Sequence, residues 1–102
     1  NLETLLNNAD QGFLSFGSDL TIDNEYSLEC ERIFGGEIGG KNSLELIFSE
    51  ESLPEEIFKE IFSRENEKVS QYIELLPNNL KINDNFIEIK YKLVDKEEEK
   101  KI

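Results

Sequence analysis

Between residues 86 and 94, apolar and polar residues alternate strictly. The odd positions carry Ile, Ile, Tyr and Leu, and the even positions between them carry Glu, Lys and Lys. A period of two residues is that of a β-strand with one buried face. The apolar segment 80–82 precedes this strand across a polar turn at 83–85, so the pattern predicts an antiparallel hairpin. A charged turn or tail follows over residues 95–102.

A second hairpin is predicted near the N-terminus. Residues 12–17 form a short apolar segment bounded by glycines, which is typical of a strand, and the turn-forming residues Ser18 and Asp19 follow. From residue 20 to residue 26, apolar and polar residues alternate again. This alternation predicts that one face of the second strand carries Leu20, Ile22, Asn24 and Tyr26.

Helical spacing marks the N-terminus and the middle of the chain, where apolar residues recur at intervals of three and four. The longest such stretch is interrupted by polar residues from Ser63 to Glu67 and ends at Pro77. The predicted helices are residues 1–9, 28–34, 44–48 and 54–76.

The helix ends carry capping residues. Ser27 precedes the second predicted helix, where its side-chain oxygen is expected to accept an otherwise unpaired N–H. Asn42 and Ser43 are alternative caps of the third helix. Gly35 and Gly36 follow the second helix and can adopt the positive φ with which many helices end.

Strand pairs at both ends of the chain, separated by helices, predict an α+β fold with helices on one face of an antiparallel sheet. The 102 residues fit a single domain with its core in residues 12–94. The sequence has no run of about 18 apolar residues, so we expect no transmembrane helix.

The composition disfavours several classes of function. The chain has no His and one Cys, which removes His-ligated haem, a His general base and a thiolate zinc cage. The net charge of −12 disfavours nucleic acids and anionic membranes, because both repel it. The glycine-rich segment 35–40 lacks the Lys-Ser/Thr ending of a phosphate loop. We therefore expect no catalytic residues, no metal site and no enzyme activity.

The acidic residues are concentrated in the first part of the chain. Residues 1–60 hold 14 acidic and 3 basic residues, whereas residues 61–102 hold 9 acidic and 8 basic residues. Two interpretations remain open: the acidic residues keep the domain soluble, or they form a docking surface for a basic partner.

Three motifs in order resemble those of PAS (sensory box) domains. Residues 5–16, LLNNADQGFLSF, are similar to the family's opening helix and first strand. Residues 26–35, YSLECERIFG, resemble its next segment, with Ser27 where Asn is usual, and residues 40–48, GKNSLELIF, resemble the stretch after that. The resemblance is strongest to PAS modules of bacterial histidine kinases and related two-component proteins.

The PAS resemblance implies a particular sheet. The predicted strands 80–82 and 86–94 fall where PAS domains place their third and fourth strands. In that family the fifth strand lies in the middle of the sheet, between the first and the fourth. Because the chain reaches Ile102 soon after the fourth strand, we expect this central strand to be lacking.

The resemblance also implies a role in signal sensing or signal relay. It implies a cytoplasmic segment of a bacterial signal-transduction protein, with a kinase or other output domain of the same full-length protein as its partner. The expected mode of action is dimerisation, with small-ligand binding as a further element. A purely structural dimerisation or protein-interaction module, with a filled core and no ligand, is the alternative.

Known PAS cofactors are disfavoured, so the cofactor is unknown. Haem-binding members commonly use an axial His, and flavin photosensors use a Cys within an Asn-Cys-Arg-Phe motif; the chain contains neither. The family's register points Leu14 and Phe16 inward and Phe13 and Ser15 outward. Plain core packing is the alternative for each candidate pocket residue. These candidates are Leu14, Phe16, Asn24, Tyr26, Phe34, Phe48, Phe58, Phe62, Ile87, Ile89 and Tyr91.

A homodimer interface is predicted from apolar residues that are too numerous to leave exposed together. Three lie on the N-terminal helix, and the fourth lies on the outer face of the first strand. They are Leu2, Leu5, Leu6 and Phe13.

Overall fold

The computed structural model describes residues 11–63, 69–96 and 99–102. The predicted helix over residues 1–9 lies outside this part of the chain. Within it, short helices precede antiparallel strand pairs, which confirms the α+β class. The helices of the described residues are α1 (Leu28–Phe34), α2 (Ser43–Ile47), α3 (Leu53–Ser63) and α4 (Val69–Ile73).

Two antiparallel hairpins form the C-terminal part. β1 (Asn79–Ile82) pairs with β2 (Asn85–Glu88), and β3 (Val94–Lys96) pairs with β4 (Glu99–Lys101). Asn83 and Asp84, between β1 and β2, both have left-handed backbones, with φ of 48° and 68°. Two left-handed residues make the type I′ turn that matches strand twist, and Asn and Asp tolerate this conformation best after Gly. The predicted turn between the two strands of this hairpin is therefore confirmed.

The expected single strand over residues 86–94 is divided in two. β2 ends at Glu88, and residues 89–93 belong to no assigned strand. The N–H of Ile89 still donates to the Asn78 carbonyl at 2.8 Å, one position beyond the last paired residues of the hairpin, Asn79 and Glu88. The predicted alternation nevertheless persists, because odd residues are half-buried and even residues exposed from 87 to 94.

The N-terminal hairpin is reduced to a single bridge. Phe16 pairs with Ile22 in antiparallel fashion, and the Asp23 N–H donates to the Ser15 carbonyl at 2.8 Å. The other side of the second segment is occupied by residues 40–42: the Ile22 N–H donates to the Lys41 carbonyl at 2.8 Å. The predicted strand over residues 20–26 is therefore short.

The C-terminal residues are a strand rather than a charged tail. β4 pairs with β3, and the following residue, Ile102, exchanges two backbone hydrogen bonds with Phe16, at 2.7 and 2.8 Å. β4 and Ile102 thus lie between the Phe16 segment and β3. The expectation that this central position is vacant is therefore wrong. The segment is rich in charged residues, as solvent-exposed tails are, but backbone pairing on both sides stabilises it as a strand.

The described core consists of two clusters. The first, here called the aromatic cluster, joins α3 and α4 to the central extended segments. The second, here called the Cys30 cluster, packs the buried α1 residue Cys30 against Ile22 and Ile38. The buried members of the aromatic cluster are Phe16, Phe48, Ile57, Phe58, Ile61, Val69, Leu76 and Ile102.

The helix caps follow the sequence in two places and depart from it in one. The Asn42 side chain accepts hydrogen bonds from the N–H groups of Leu44 and Glu45, so Asn42 is the cap of α2. Gly35, with φ of 82°, ends α1 as predicted. Ser27 stands at the N-cap of α1 but makes no side-chain capping bond. Its hydroxyl is used in tertiary contacts instead.

Candidate functional site

Three of the candidate pocket residues surround the ring of a fourth, Phe58. Its ring centroid lies 5.2 Å from that of Phe16 in an edge-to-face arrangement and 5.5 Å from that of Phe48. The Phe62 ring stacks on it at 6.4 Å. Phe58 is fully buried. The rings therefore contact one another where the sequence analysis placed a pocket, and their centroid distances lie in the range that aromatic pairs prefer.

The spacing of α3 explains this convergence. Its buried side chains are Pro54, Ile57, Phe58 and Ile61, at positions i, i+3, i+4 and i+7 of one helical face. Pro54 lies in the first turn, where a missing N–H breaks no intrahelical hydrogen bond. Glu55 and Glu56 follow it, near the positive end of the helix dipole.

The first extended segment follows the predicted register. Phe16 is buried, and Leu14 is half-buried and packs against both clusters. Phe13 is 41% exposed, as expected for the outer face. The other predicted interface residues, on the helix over 1–9, lie outside the described residues.

Tyr26 and Phe34 pack on the Cys30 cluster rather than around Phe58. The Tyr26 hydroxyl donates to Glu31 Oε2 at 2.6 Å and accepts the Ile38 N–H at 3.3 Å. The bond to Glu31 raises the pKa of Tyr26, and the bond from Ile38 opposes this shift. The tyrosine therefore stays protonated and joins α1 to the loop that follows it.

Three candidate pocket residues, Asn24, Ile87 and Ile89, pack on neither the aromatic cluster nor the Cys30 cluster. Asn24 is exposed rather than inward, against Gly39, where an added Cβ would come within 2.5 Å of the Asn24 Oδ1. Ile87 and Ile89 are half-buried. Tyr91 packs on the aromatic cluster, and its hydroxyl donates to the Pro77 carbonyl at 2.5 Å. Burial raises the pKa of Tyr91.

Ser27 and Cys30 form a buried polar group that the sequence did not reveal. The Ser27 hydroxyl accepts the Phe13 N–H at 2.8 Å, and the Cys30 thiol donates to the Phe13 carbonyl at 3.3 Å. Burial raises the pKa of Cys30, although hydrogen bonds to Ser27 oppose the shift. The thiol thus stays protonated and structural. No local sequence pattern predicts this group, because Phe13, the residue to which both side chains bond, is 14 positions away from Ser27.

A second polar group that the sequence did not reveal consists of Ser15, Asp23 and Lys101, on three neighbouring extended segments. The Ser15 hydroxyl donates to Asp23 Oδ2 at 2.7 Å, and Lys101 Nζ lies 3.3 Å from Asp23 Oδ1. The lysine side chain is only 18% exposed. This group joins three extended segments. Because Asp23 and Lys101 are 78 positions apart in the sequence, no local sequence pattern predicts their contact.

An open cleft adjoins the aromatic cluster. It has a volume of about 260 Å³ and lies between the turn at residues 17–20 and α3. Its lining combines apolar and polar side chains: Ser18, Leu20, Phe58, Lys59, Phe62 and Ser63.

The described residues include no group of three or more His, Cys, Asp and Glu side chains that could hold a metal ion. In the same part of the chain, no helix is long and apolar enough to cross a membrane. A scan against protein-family models and searches of the curated proteins and of the solved structures found no match.

Proposed function

We propose that the chain is a PAS-type module that relays a signal through protein–protein contact, as part of a bacterial signal-transduction protein such as a sensor histidine kinase. The order of the extended segments carries this proposal. Residues 20–22 adjoin the Phe16 segment, Ile102 adjoins Phe16 on its other side, and β4 leads from Ile102 to β3. This is the order second, first, fifth, fourth that the PAS resemblance implies.

The burial pattern supports the same order. Extending the β3–β4 register by one residue places Leu93 opposite Ile102. Leu93 and Ile102 both belong to the aromatic cluster, as does Phe16. Three neighbouring segments thus direct apolar side chains to one face, on which α3 packs. Helices on one face of an antiparallel sheet are what the resemblance implies.

The filled aromatic cluster favours relay over ligand sensing within the core. The rings of Phe16, Phe48 and Phe62 surround Phe58 at contact distances. Closely packed interiors leave little room for a ligand without rearrangement. We therefore propose a homodimer as the working form, with the outer face around Phe13 as part of its interface.

Phe13 tests the dimer directly. The change Phe13→Ser removes an exposed ring, and we expect it to shift a dimer to monomer in sedimentation equilibrium at micromolar concentrations. Leu28→Ser is the matched control, because Leu28 is more exposed, at 61%, and is not part of the predicted interface.

Three results of this experiment are informative. If Phe13→Ser dissociates the dimer and Leu28→Ser does not, the proposal is supported. If the unchanged protein is a monomer throughout the concentration range, relay by dimerisation is contradicted. Equal effects of both changes would contradict an interface that is specific to the face around Phe13.

A further inference from the structure

The turn that forms one side of the cleft contains a residue in an unfavourable backbone conformation. Leu20 has φ of 63°, the left-handed region that L residues with large side chains rarely adopt. Two backbone hydrogen bonds hold it there: its N–H donates to the Gly17 carbonyl at 2.9 Å, and its carbonyl accepts the Ser43 N–H at 2.8 Å. Glycine would fit this position without strain, whereas the leucine side chain packs on the aromatic cluster and also forms part of the cleft lining.

The remainder of the apolar lining is aromatic. Phe58 and Phe62 belong to α3, with their rings stacked at an interplanar angle of 29°. The cleft volume of about 260 Å³ exceeds the roughly 150 Å³ of a cavity that holds benzene. One six-membered ring with a small substituent is therefore the size of ligand that fits.

The polar lining supplies hydrogen-bond donors. Lys59 Nζ lies 3.7 Å from Glu55 and 3.9 Å from Glu56, and all three side chains are more than half exposed. Ion pairs this long and exposed are weak, so the ammonium group can turn to a ligand. Ser18 adds a hydroxyl to the same cleft. The Ser63 hydroxyl already donates to the Glu60 carbonyl.

Charge decides between ligands of this size. A chain with a net charge of −12 repels anions, and Glu55 and Glu56 lie beside the cleft. A cation is attracted by the same carboxylates, but within the cleft lining it would meet the ammonium group of Lys59 and offer that group no acceptor. A neutral ligand with a single acceptor avoids both penalties.

We propose that the cleft between the 17–20 turn and α3 binds a small neutral aromatic molecule that carries one hydrogen-bond acceptor. The ring would contact Leu20 and Phe62, and the acceptor would take a hydrogen bond from Lys59 or Ser18. This site lies beside the filled aromatic cluster, not within it, and its existence does not depend on the proposed relay function.

Acetophenone, benzoate and benzylamine are matched probes, because they share a ring and differ in charge. Each is titrated into the isotope-labelled protein while backbone amide NMR signals are recorded. We expect acetophenone to shift the signals of Ser18, Leu20, Lys59 and Phe62 saturably, with a Kd of about 1–10 mM, as is usual for a ligand of this size. Benzoate and benzylamine should bind several-fold more weakly.

Two variants test the contacts. Lys59→Ala, on the exposed side of α3, should weaken acetophenone about fivefold by removing a donor, whereas Lys41→Ala, at an exposed lysine outside the cleft, should change nothing. Leu20→Gly relieves the backbone strain but removes a side chain that packs on the aromatic cluster, so its folded spectrum is recorded first; in the folded variant, binding should weaken about tenfold.

Some outcomes would overturn the proposal. Shifts that do not saturate, or that lie away from the cleft, would show that the site does not exist. Binding of benzoate at least as tight as that of acetophenone would contradict the assignment of a neutral ligand. Unchanged binding in both Lys59→Ala and Leu20→Gly would also contradict it.

Discussion

The aromatic cluster and the Cys30 cluster are held together by different interactions. Around Phe58, the contacts are ring against ring and ring against aliphatic side chain. Around Cys30, hydrogen bonds supplement the apolar contacts with Ile22 and Ile38. The Ser27 hydroxyl accepts the Phe13 N–H, the Cys30 thiol donates to the Phe13 carbonyl, and the Tyr26 hydroxyl accepts the Ile38 N–H. Leu14 packs on both clusters and connects them.

This difference follows from the size of the side chains. A cluster of Phe and Ile buries enough apolar surface to be stabilised by the hydrophobic effect and dispersion. The Cys30 cluster has less apolar surface, so each buried polar group beside it must be paired with a partner. Substitutions should therefore act through cavities in the first region and through unpaired polar groups in the second.

The largest effect is expected in the aromatic cluster. Phe58→Ala should lower the free energy of unfolding by about 3–5 kcal/mol, because Phe58 is fully buried and its loss leaves a cavity. Phe62→Ala should cost about half as much, since Phe62 is half-buried and opens towards solvent. Urea denaturation measures both. Equal losses for the two variants would contradict the central position of Phe58.

An intermediate effect is expected beside the Cys30 cluster. Ser27→Ala removes the acceptor of the Phe13 N–H and should lower the free energy of unfolding by about 1–3 kcal/mol. Ser43→Ala is the matched control, because both serines are fully buried but the Ser43 hydroxyl has no partner among the described residues. We expect Ser43→Ala to be neutral or stabilising by up to about 1 kcal/mol. The reverse order would show that the hydrogen bonds are assigned to the wrong serine.

The smallest effect is a pH dependence that involves Tyr91. Because burial raises the pKa of Tyr91 in the folded state, its stabilising contribution is complete below the unfolded value of 10.0 and is lost as the pH rises above it. Tyr91→Phe should be less stable than the original chain at neutral pH, since it lacks the bond to the Pro77 carbonyl. This difference should shrink above pH 10.0 in urea denaturation. A constant difference would indicate that Tyr91 is accessible to solvent.

Part of this structure could be predicted from the sequence. The alternation over residues 86–94 predicted which side chains are half-buried, and helical spacing predicted that Ile57, Phe58 and Ile61 share a face. Phe16, Phe48, Phe58 and Phe62 were likewise expected to point inward, either around a pocket or, as the alternative, in plain core packing. These features depend on local periodicity, which the order of residues records directly.

The remainder depends on contacts between distant segments. Residues 95–102 have the composition of a solvated tail, yet Glu99–Lys101 pairs with β3 and Ile102 pairs with Phe16. Ser27 has the position of a helix cap, yet the Phe13 N–H competes successfully for its hydroxyl. The left-handed conformation of Leu20 opposes its intrinsic preference and is fixed by bonds to Gly17 and Ser43. Tertiary contacts override local propensity at all three places.

The pairing of Phe16 with Ile102 is the observation on which the proposed PAS-type sheet depends most. Scalar couplings across hydrogen bonds, measured by NMR between amide nitrogens and carbonyl carbons, report such a pair directly. We predict couplings in both directions, from Phe16 N to Ile102 C and from Ile102 N to Phe16 C, and slow amide exchange at Phe16. Absence of both couplings, with the Phe16 amide exchanging as fast as that of the exposed turn residue Ser18, would contradict the account.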